Sequence, residues 1–359
     1  MQIIKITHPY EPSQIVQKPI VLALGFFDGI HLGHQEVIQQ AKEKAQELGV
    51  KLALMSFDHH PSIIFQGADP DELQYLSPFE RKVELLEEFG VDIFYVIDFT
   101  KEFASLSPQE FVDQYMVGLN AVTVVAGFDY TYGKKEIANM ELLPTYAKER
   151  FSIVTISEQQ TEKQKIGSTA IRNYLETGQI EEANELLGYE YTMIGKVVHG
   201  FGRGSSLLGF PTANIDVSAD TYLLKKGVYI VEIQVEDKWY PAMASIGVNP
   251  TFNDVTKITI EVYILDFQRD IYEFPVRVKW LHYLRDELKF DGVEALIAQL
   301  KETVVLHVLE VVGGGLAAIG ISTTIYVIGR KDYLVFFLLA YFMSVILKPL
   351  NVTMVTYAI

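Results

Sequence analysis

Two histidines near the start of the chain follow a glycine-containing turn. Residues 25–34 (GFFDGIHLGH) leave a predicted strand and enter a predicted helix. Glycine lets backbone N–H groups approach a phosphate, and a helix N-terminus favours negative charge. His31 and His34 are three residues apart, so both rings can face one anionic ligand and donate hydrogen bonds to it. These hydrogen bonds are stronger when the rings are protonated and carry a positive charge. The segment therefore predicts a phosphate-binding loop made of Gly25, Asp28, Gly29, His31 and His34.

The same histidines allow two other interpretations. They could be surface residues on an ordinary loop, or part of a zinc site to which His59 and His60 also contribute. The chain has no cysteine and the histidines have no obvious carboxylate partner, which disfavours zinc. The absence of cysteine also excludes disulfide bonds and thiolate chemistry.

A second glycine-rich segment, residues 199–214 (HGFGRGSSLLGFPTAN), lies beyond the middle of the chain. Its alternating glycines can form a flap whose amides cover phosphates: Gly200, Gly202 and Gly204. Thr212 and Asn214 supply a hydroxyl and an amide oxygen on one side of an extended backbone, and both oxygens are hard ligands suited to Mg²⁺ on a nucleotide phosphate. The alternative is a hairpin connection in which Thr and Asn only form a turn.

The first half of the chain must position the histidine loop. Strands are predicted at 19–27, 51–57, 91–99, 121–128 and 151–157, and helices at 34–48, 77–89 and 108–117. Strands separated by helices indicate βαβ units and a parallel sheet covered on both faces. Two short helices, 168–176 and 180–187, are predicted to close this α/β domain, which we place at residues 1–187.

After residue 188 the pattern changes. Segments rich in Val, Ile, Tyr and Trp follow one another without intervening helices, at 191–200, 227–235, 238–248, 257–265 and 274–284. Such a run of short strands favours a compact antiparallel barrel. A single helix at 291–302 is predicted to close this second domain, residues 188–302.

GFFDGIHLGH resembles the nucleotidyltransferase signature in the FAD-synthetase half of the prokaryotic bifunctional riboflavin kinase/FAD synthetase family. Three further segments are similar to that half: SFDHHP (56–61), GFDYTYG (127–133) and KIGSTAIR (165–172). The resemblance implies a Rossmann-like nucleotidyltransferase domain in which Ser168, Thr169 and Arg172 hold the ATP phosphates and Asp129 contacts adenosine or flavin. The chain departs from the family at residues 134–136, so the contacts of that loop cannot be transferred.

GFGRGSSLLGFPTANI resembles the riboflavin-kinase signature of the same family, which implies that Thr212 and Asn214 are the Mg-ATP ligands. IEVYILDF is similar to the strand that carries the family's catalytic glutamate, which falls on Glu261. A primary alcohol must lose a proton as it attacks phosphorus, so a carboxylate base suits this reaction. LRDELKFDGVEAL resembles the family's C-terminal segment and implies that Arg285 contacts flavin or nucleotide.

The resemblance implies an enzyme with two reactions. Riboflavin would be phosphorylated by ATP to FMN in the barrel, and FMN would be adenylylated by ATP to FAD in the α/β domain, with release of pyrophosphate. Mg²⁺ is the implied metal ion, and ATP is the co-substrate of both steps. Two alternatives assign fewer activities to the chain: a FAD synthetase with an inactive kinase barrel, and a membrane-bound flavin-binding module without catalysis. Glu261 and the histidine pair argue against both alternatives.

The chain carries a formal net charge of −16 over 359 residues. A surface this acidic repels a phosphate backbone, which disfavours nucleic acid as a partner. The N-terminus has polar and proline residues where a signal peptide needs an apolar run. We therefore expect the catalytic domains to lie in the cytoplasm.

The last 57 residues, 303–359, differ sharply from the acidic body. They contain an uncharged run at 311–328 and a second apolar run at 333–347. The first run has the length needed to span a bilayer. We therefore predict a transmembrane helical hairpin that anchors the enzyme to the inner face of the cell membrane; the alternative is a buried helical hairpin in a protein free of the membrane.

Overall fold

The structure of the protein, a computed structural model, describes residues 1–158, 165–199, 212–247 and 258–287. The predicted helix at 291–302 and the predicted transmembrane hairpin at 303–359 lie outside these ranges. Within the described ranges, no helix combines the length and the apolar content needed to cross a bilayer.

The predicted parallel sheet is confirmed in the first half of the molecule, where it has six strands in the order β1-β4-β3-β2-β5-β6. Its strands are β1 (Gln2–Ile6), β2 (Ile20–Leu24), β3 (Lys51–Phe57), β4 (Ile93–Ile97), β5 (Ala121–Gly127) and β6 (Ser152–Ile156). The helices of this half are α1 (Leu32–Leu48), α2 (Ser62–Gln66), α3 (Phe79–Glu88), α4 (Lys101–Ala104), α5 (Pro108–Val112) and α6 (Leu143–Ala147). A π-helical turn, Asp113–Val117, continues α5.

Both faces of the sheet are covered, which explains why its strands are continuous apolar runs. In β2 every residue is buried, and alternate side chains belong to two different core clusters. Val21 and Ala23 pack with α1 and α3, whereas Ile20, Leu22 and Leu24 pack with α5 on the other face. The N-terminal strand β1 was not predicted: it is only five residues long and, unlike β2, it has a single buried residue, Ile6.

The predicted antiparallel barrel is also confirmed: it is closed, in the order β10-β11-β8-β7-β12-β9. Its strands are β7 (Thr192–Val198), β8 (Ala213–Val217), β9 (Gly227–Val235), β10 (Lys238–Gly247), β11 (Thr259–Ile264) and β12 (Pro275–Arg285). Burial alternates along β9, where Tyr229, Val231 and Ile233 point into the core. This period of two is what closure of a small barrel requires.

Two helices join the halves: α7 (Ser168–Thr177) and α8 (Ile180–Leu187). Their apolar side chains belong to the core cluster of the barrel, whereas the first residues of α7 contact the histidine loop. A loop of the first half also pairs with the barrel, since Tyr75 bridges to Thr221. The domain boundary near residue 188 stays a prediction, and the helices before it contact both halves.

Candidate active sites

The histidine loop is tightly wound where β2 ends. Phe27, Gly29 and Ile30 all have left-handed backbone conformations, with φ of 54°, 78° and 35°. Such conformations are costly for side chains other than glycine and persist where the surroundings hold them. The buried Ser77 supports this turn: its N–H donates to Oδ1 of Asp28 at 3.1 Å, and its Oγ accepts from the N–H of Gly29 at 2.7 Å.

His31 and His34 are brought together as predicted, with stacked rings whose centroids are 3.7 Å apart. His31 caps α1, because its Nδ1 accepts from the N–H of His34 at 3.4 Å. Burial lowers the pKa of His31 to about 4, an effect that the Asp129 carboxylate only partly offsets. Burial also lowers the pKa of His34, and the neighbouring His31 and Lys82 add to the effect. Both rings are therefore neutral near pH 7 in the protein alone.

The first turn of α7 lies against the same loop. Ser168 donates its hydroxyl to the backbone oxygen of Asp28 at 2.9 Å, and Gly167 precedes the helix. Arg172, one turn along, pairs with the buried carboxylate of Asp28 and lies 5.5 Å from the ring of Tyr222 in the barrel half. The Asp28–Arg172 pair therefore holds α7 on the loop.

These elements surround a cleft of about 810 Å³, which we call the loop cleft. The predicted site residues among its described lining are Gly25, His31, His34, Asp129, Ser168 and Thr169. Asp28, Gly29 and Arg172 are not part of that described lining. The side chains of Asp28 and Arg172 pair with each other. The cleft has the size of a pocket for a small ligand, and a helix N-terminus faces it from α1 and from α7.

At the rim of the loop cleft, Asp129 is paired with Lys165 at 3.4 Å. Lys165 also contacts Glu158 at 2.9 Å and lies 4.8 Å from the ring of Phe128. The hydrogen bond to Glu158 raises the pKa of Lys165, and Asp129 adds to this rise. Sequence analysis missed Lys165 as a cleft residue, although it is the first residue of the segment 165–172 that contains Ser168.

Sequence analysis also missed Lys82, a buried lysine of α3. It shares the apolar face of that helix with Leu85 and Leu86. Lys82 could have been identified from its spacing, because it lies three and four positions before two core leucines and so on the apolar face of the helix. A lysine on such a face is rarely fully buried unless it is paired.

In the barrel, strand register brings Glu261 opposite Asn214 on β8 and opposite Ser245 on β10. Glu261 lies on the outer face of β11, since Ile260 and Val262 on either side of it face the core. Thr212 immediately precedes β8, two residues before Asn214, and so is on the same side of an extended chain. We call Thr212, Asn214, Ser245 and Glu261 the barrel face.

Arg285, another predicted residue of this second site, is not brought to the barrel face. Arg285 ends β12, which two strands separate from β11 in either direction around the barrel. Its guanidinium donates to the backbone oxygen of Asp286 at 3.1 Å. The flap glycines Gly200, Gly202 and Gly204 lie outside the described residues.

No group of three or more His, Asp or Glu side chains in the described ranges is arranged to hold a metal ion. His60, a candidate in the zinc interpretation, has its Nδ1 2.8 Å from Oγ of Ser62. A magnesium site at the barrel face would instead use a hydroxyl and an amide oxygen. Thr212 and Asn214 provide such oxygens beside a carboxylate, so the donor set fits Mg²⁺.

Comparisons with known proteins agree with this division. The FAD synthetase family model matches residues 13–170, and the riboflavin kinase family model matches residues 187–306. A third family model, the PTS system sorbose-specific IIC component, matches residues 288–359.

Relatives that cover both halves include two bifunctional riboflavin kinase/FMN adenylyltransferases. The protein of Listeria monocytogenes is 48% identical over 302 residues, which is 84% of this chain and 96% of the relative. The protein of Bacillus subtilis is 39% identical over 304 residues, which is 84% of this chain and 96% of the relative. A crystal structure of a Streptococcus pneumoniae protein, described as a macrolide-efflux protein, has a TM-score of 0.75 at 37% identity and covers 83% of this chain and 96% of that one.

Proposed function

The chain belongs to the family of bifunctional riboflavin kinase/FMN adenylyltransferases, and we propose that the loop cleft and the barrel face carry the two reactions separately. The enzyme phosphorylates riboflavin to FMN with ATP, and it transfers the adenylyl group of a second ATP to FMN. The observation that carries the division is that two unlike sets of polar groups lie on two unlike folds, the parallel sheet and the closed barrel.

In the loop cleft, the phosphate of FMN attacks the α-phosphorus of ATP, and pyrophosphate leaves. The nucleophile is already an anion, so the reaction needs no protein base; it needs positioning and neutralisation of negative charge. The N-termini of α1 and α7 and the hydroxyls of Ser168 and Thr169 supply donors for the triphosphate. His31 and His34 enter the reaction as neutral donors, and the bound triphosphate raises their pKa and strengthens these hydrogen bonds.

In this proposal Arg172 has two roles: it pairs with Asp28 and it binds a phosphate of ATP. A guanidinium carries several N–H donors in a fixed fork, so pairing with Asp28 does not exhaust it. The remaining donors serve a phosphate while the pair keeps α7 on the histidine loop. Asp129 and its partner Lys165 lie at the rim, where they contact the adenosine or flavin part of the substrates.

At the barrel face, Glu261 accepts the proton that the riboflavin hydroxyl loses as it attacks the γ-phosphorus of ATP. Its position opposite Asn214, with Cβ atoms about 5 Å apart in such a strand pair, supports this role, because Asn214 is a proposed ligand of the nucleotide-bound metal ion. Thr212 and Asn214 would hold Mg²⁺, which neutralises phosphate charge when bound. Gly200, Gly202 and Gly204 would cover the phosphates, and Arg285 would contact the flavin or nucleotide from the end of β12.

We assign residues 1–187 to FMN adenylyltransferase and residues 188–302 to riboflavin kinase, both in the cytoplasm. Residues 303–359 would anchor them to the membrane as a helical hairpin, a proposal supported by their low charge and their long apolar runs. A chain ending at Glu302 should stay in the supernatant after ultracentrifugation and keep both activities. The full chain should sediment with membranes and resist carbonate extraction; if it stays in the supernatant, the anchor proposal is wrong.

The direct test of the function is to incubate the purified protein with riboflavin and Mg-ATP and to follow flavins by chromatography. FMN should appear first and FAD should follow with release of pyrophosphate. Formation of FAD from supplied FMN, but not from riboflavin, would contradict the kinase assignment. Tight flavin binding without any turnover would contradict the whole proposal.

A further inference from the structure

Lys82 is a buried cation that neither reaction has required so far. Its side chain is only 6% exposed, on a helix face otherwise filled by leucines. Burying an ammonium group costs solvation free energy. Methionine, an unbranched apolar side chain of similar length, would fill the same space without this cost. Packing alone therefore does not account for a lysine at this position.

The amine of Lys82 acts on one backbone atom. Its Nζ donates to the carbonyl oxygen of Phe26 at 3.0 Å and lies 4.4 Å from the Phe26 ring. The same oxygen accepts a second hydrogen bond, 2.8 Å long, from the hydroxyl of the fully buried Ser56 at the end of β3. Two donors therefore occupy the two lone pairs of this carbonyl.

Fixing that carbonyl fixes the next amide. In a planar trans peptide the C=O and the following N–H point in opposite directions, so the N–H of Phe27 faces away from Ser56 and Lys82. Within the described residues this N–H has no hydrogen-bond partner, and Phe26 and Phe27 both line the loop cleft. Phe27 also has the left-handed backbone conformation, which needs such external support.

We propose that Lys82, together with Ser56, is a positioning residue of the adenylyltransferase site. The two side chains hold the Phe26–Phe27 peptide so that its N–H faces the ATP triphosphate, and the lysine adds positive charge beneath the loop. This inference rests on the proposed function of the loop cleft.

The charge at Lys82 is sensitive to its surroundings. Burial lowers its pKa to about 8, and the carboxylate of Asp28 opposes that shift. Charged or titratable groups on the elements around it are Asp28, His34, His60 and Arg172, together with Lys5, Asp58, His59, Asp98 and Asp220 of the adjoining cavity. Raising the pH from 7 to 9 therefore neutralises Lys82 in the free enzyme, which should weaken the hold on the triphosphate.

The test uses Lys82→Met and Ser56→Ala in the full chain, with Lys42→Met as the matched control. Lys42 also donates its amine to a backbone carbonyl, that of Phe89 at 3.0 Å, but it lies outside both sites. FAD formation from FMN is measured at varied ATP and at varied FMN. FMN formation from riboflavin is the check on the barrel, and hydrogen exchange of the parallel-sheet amides is the measure of intact folding in the half that carries the substitutions.

Lys82→Met should raise the KM for ATP in FAD formation by about tenfold or more, the scale of a lost hydrogen bond from a charged donor. Ser56→Ala should raise it less, and both should leave the KM for FMN and the kinase reaction within about twofold. The KM for ATP of the unaltered enzyme should rise between pH 7 and pH 9, whereas that of Lys82→Met should stay flat.

An unchanged KM for ATP in Lys82→Met, or a rise in the KM for FMN alone, would overturn the inference while leaving the proposed function standing. Equal losses of FAD formation in Lys82→Met and Lys42→Met would also overturn it. If the unaltered enzyme forms no FAD, the proposed function itself fails. Should Lys82→Met not fold, Ser56→Ala decides alone, because it removes the second donor to the same oxygen without removing a charge.

Discussion

In the proposed account, the loop cleft and the barrel face each carry one ATP-dependent reaction on a flavin, and they use different kinds of chemical groups. The loop cleft uses backbone amides, helix N-termini and buried side chains whose charges are paired or whose pKa values are shifted. The barrel face uses outward side chains that strand register places side by side. The difference follows the nucleophiles: the FMN phosphate arrives deprotonated and needs donors, whereas the riboflavin hydroxyl needs a carboxylate base.

The largest effect is expected from removing the proposed general base, Glu261, which should stop one reaction and spare the other. Glu261→Gln keeps the size and polarity of the side chain but cannot accept the proton, so FMN formation should fall by about a hundredfold or more. FAD formation from supplied FMN should stay within about twofold. Glu232→Gln, an outward residue in the middle of β9, is the control and should change neither rate. Loss of both activities in a folded Glu261→Gln protein would contradict the two-site account.

The reverse experiment removes the stacked histidines. His31→Ala with His34→Ala should lower FAD formation by about a hundredfold, because donors to the developing pyrophosphate are lost. FMN should then accumulate from riboflavin, since the barrel is unaltered. His59→Ala, which removes an exposed imidazole, is the control. A normal rate of FAD synthesis in the double variant would show that the rings do not take part.

The Mg²⁺ dependence of the two reactions is a further way to distinguish the barrel face from the loop cleft. Thr212→Val and Asn214→Leu remove the two proposed oxygen ligands at nearly constant volume. The Mg²⁺ concentration for half-maximal FMN formation should rise by about tenfold or more, because each loss weakens metal binding. The Mg²⁺ requirement of FAD formation in the same proteins is the internal control. An equal shift in both reactions would contradict the assignment of these ligands to the kinase.

The smallest expected effect concerns stability and pH. The pKa of His31 is lowered to about 4 in the folded protein, whereas an unfolded histidine titrates near pH 6.5. Between these values the unfolded chain binds a proton that the folded chain does not, so stability is full above pH 6.5 and is lost as the pH falls toward 4. The buried His34 acts in the same direction.

Hydrogen exchange is the suitable measurement, because both tryptophans, Trp239 and Trp280, lie in the barrel and report on the wrong half. Amides of α1 should lose protection between pH 7 and pH 5 once the intrinsic exchange rate is corrected for. The same amides in a His31→Gln, His34→Gln protein should lose less. Equal losses in both proteins would show that other groups govern the acid sensitivity.

Local patterns of apolar and polar residues were sufficient to predict much of the fold. The predicted strand at 51–57 and the predicted helix at 180–187 coincide with β3 and α8, because a buried strand and an amphipathic helix leave strong periodic signals. The short helices α2, α4 and α6 have too few turns to leave such a signal. The packing of α7 and α8 with the barrel core is long-range, so sequence reasoning joined them to the α/β half alone.

The arrangement of the candidate sites was predictable where residues close in sequence contact each other, and it was not predictable where residues from distant segments meet. The contact between His31 and His34 followed from helical spacing. The Asp28–Arg172 pair and the two donors on the Phe26 carbonyl join residues from separate elements, and no local spacing encodes them. The opposition of Glu261 to Asn214 depends on strand register, which only the closed barrel fixes.

The most direct test of the central claim, two independent sites in one chain, is to mix two variants that each lack one of the two reactions. Neither Glu261→Gln nor the His31→Ala, His34→Ala protein should convert riboflavin to FAD alone. An equimolar mixture should do so, because FMN made at the intact barrel face of one protein is adenylylated in the intact loop cleft of the other. Chromatography of the flavins reports the outcome. If the mixture forms no FAD while each protein keeps its remaining half-reaction, the sites do not act independently.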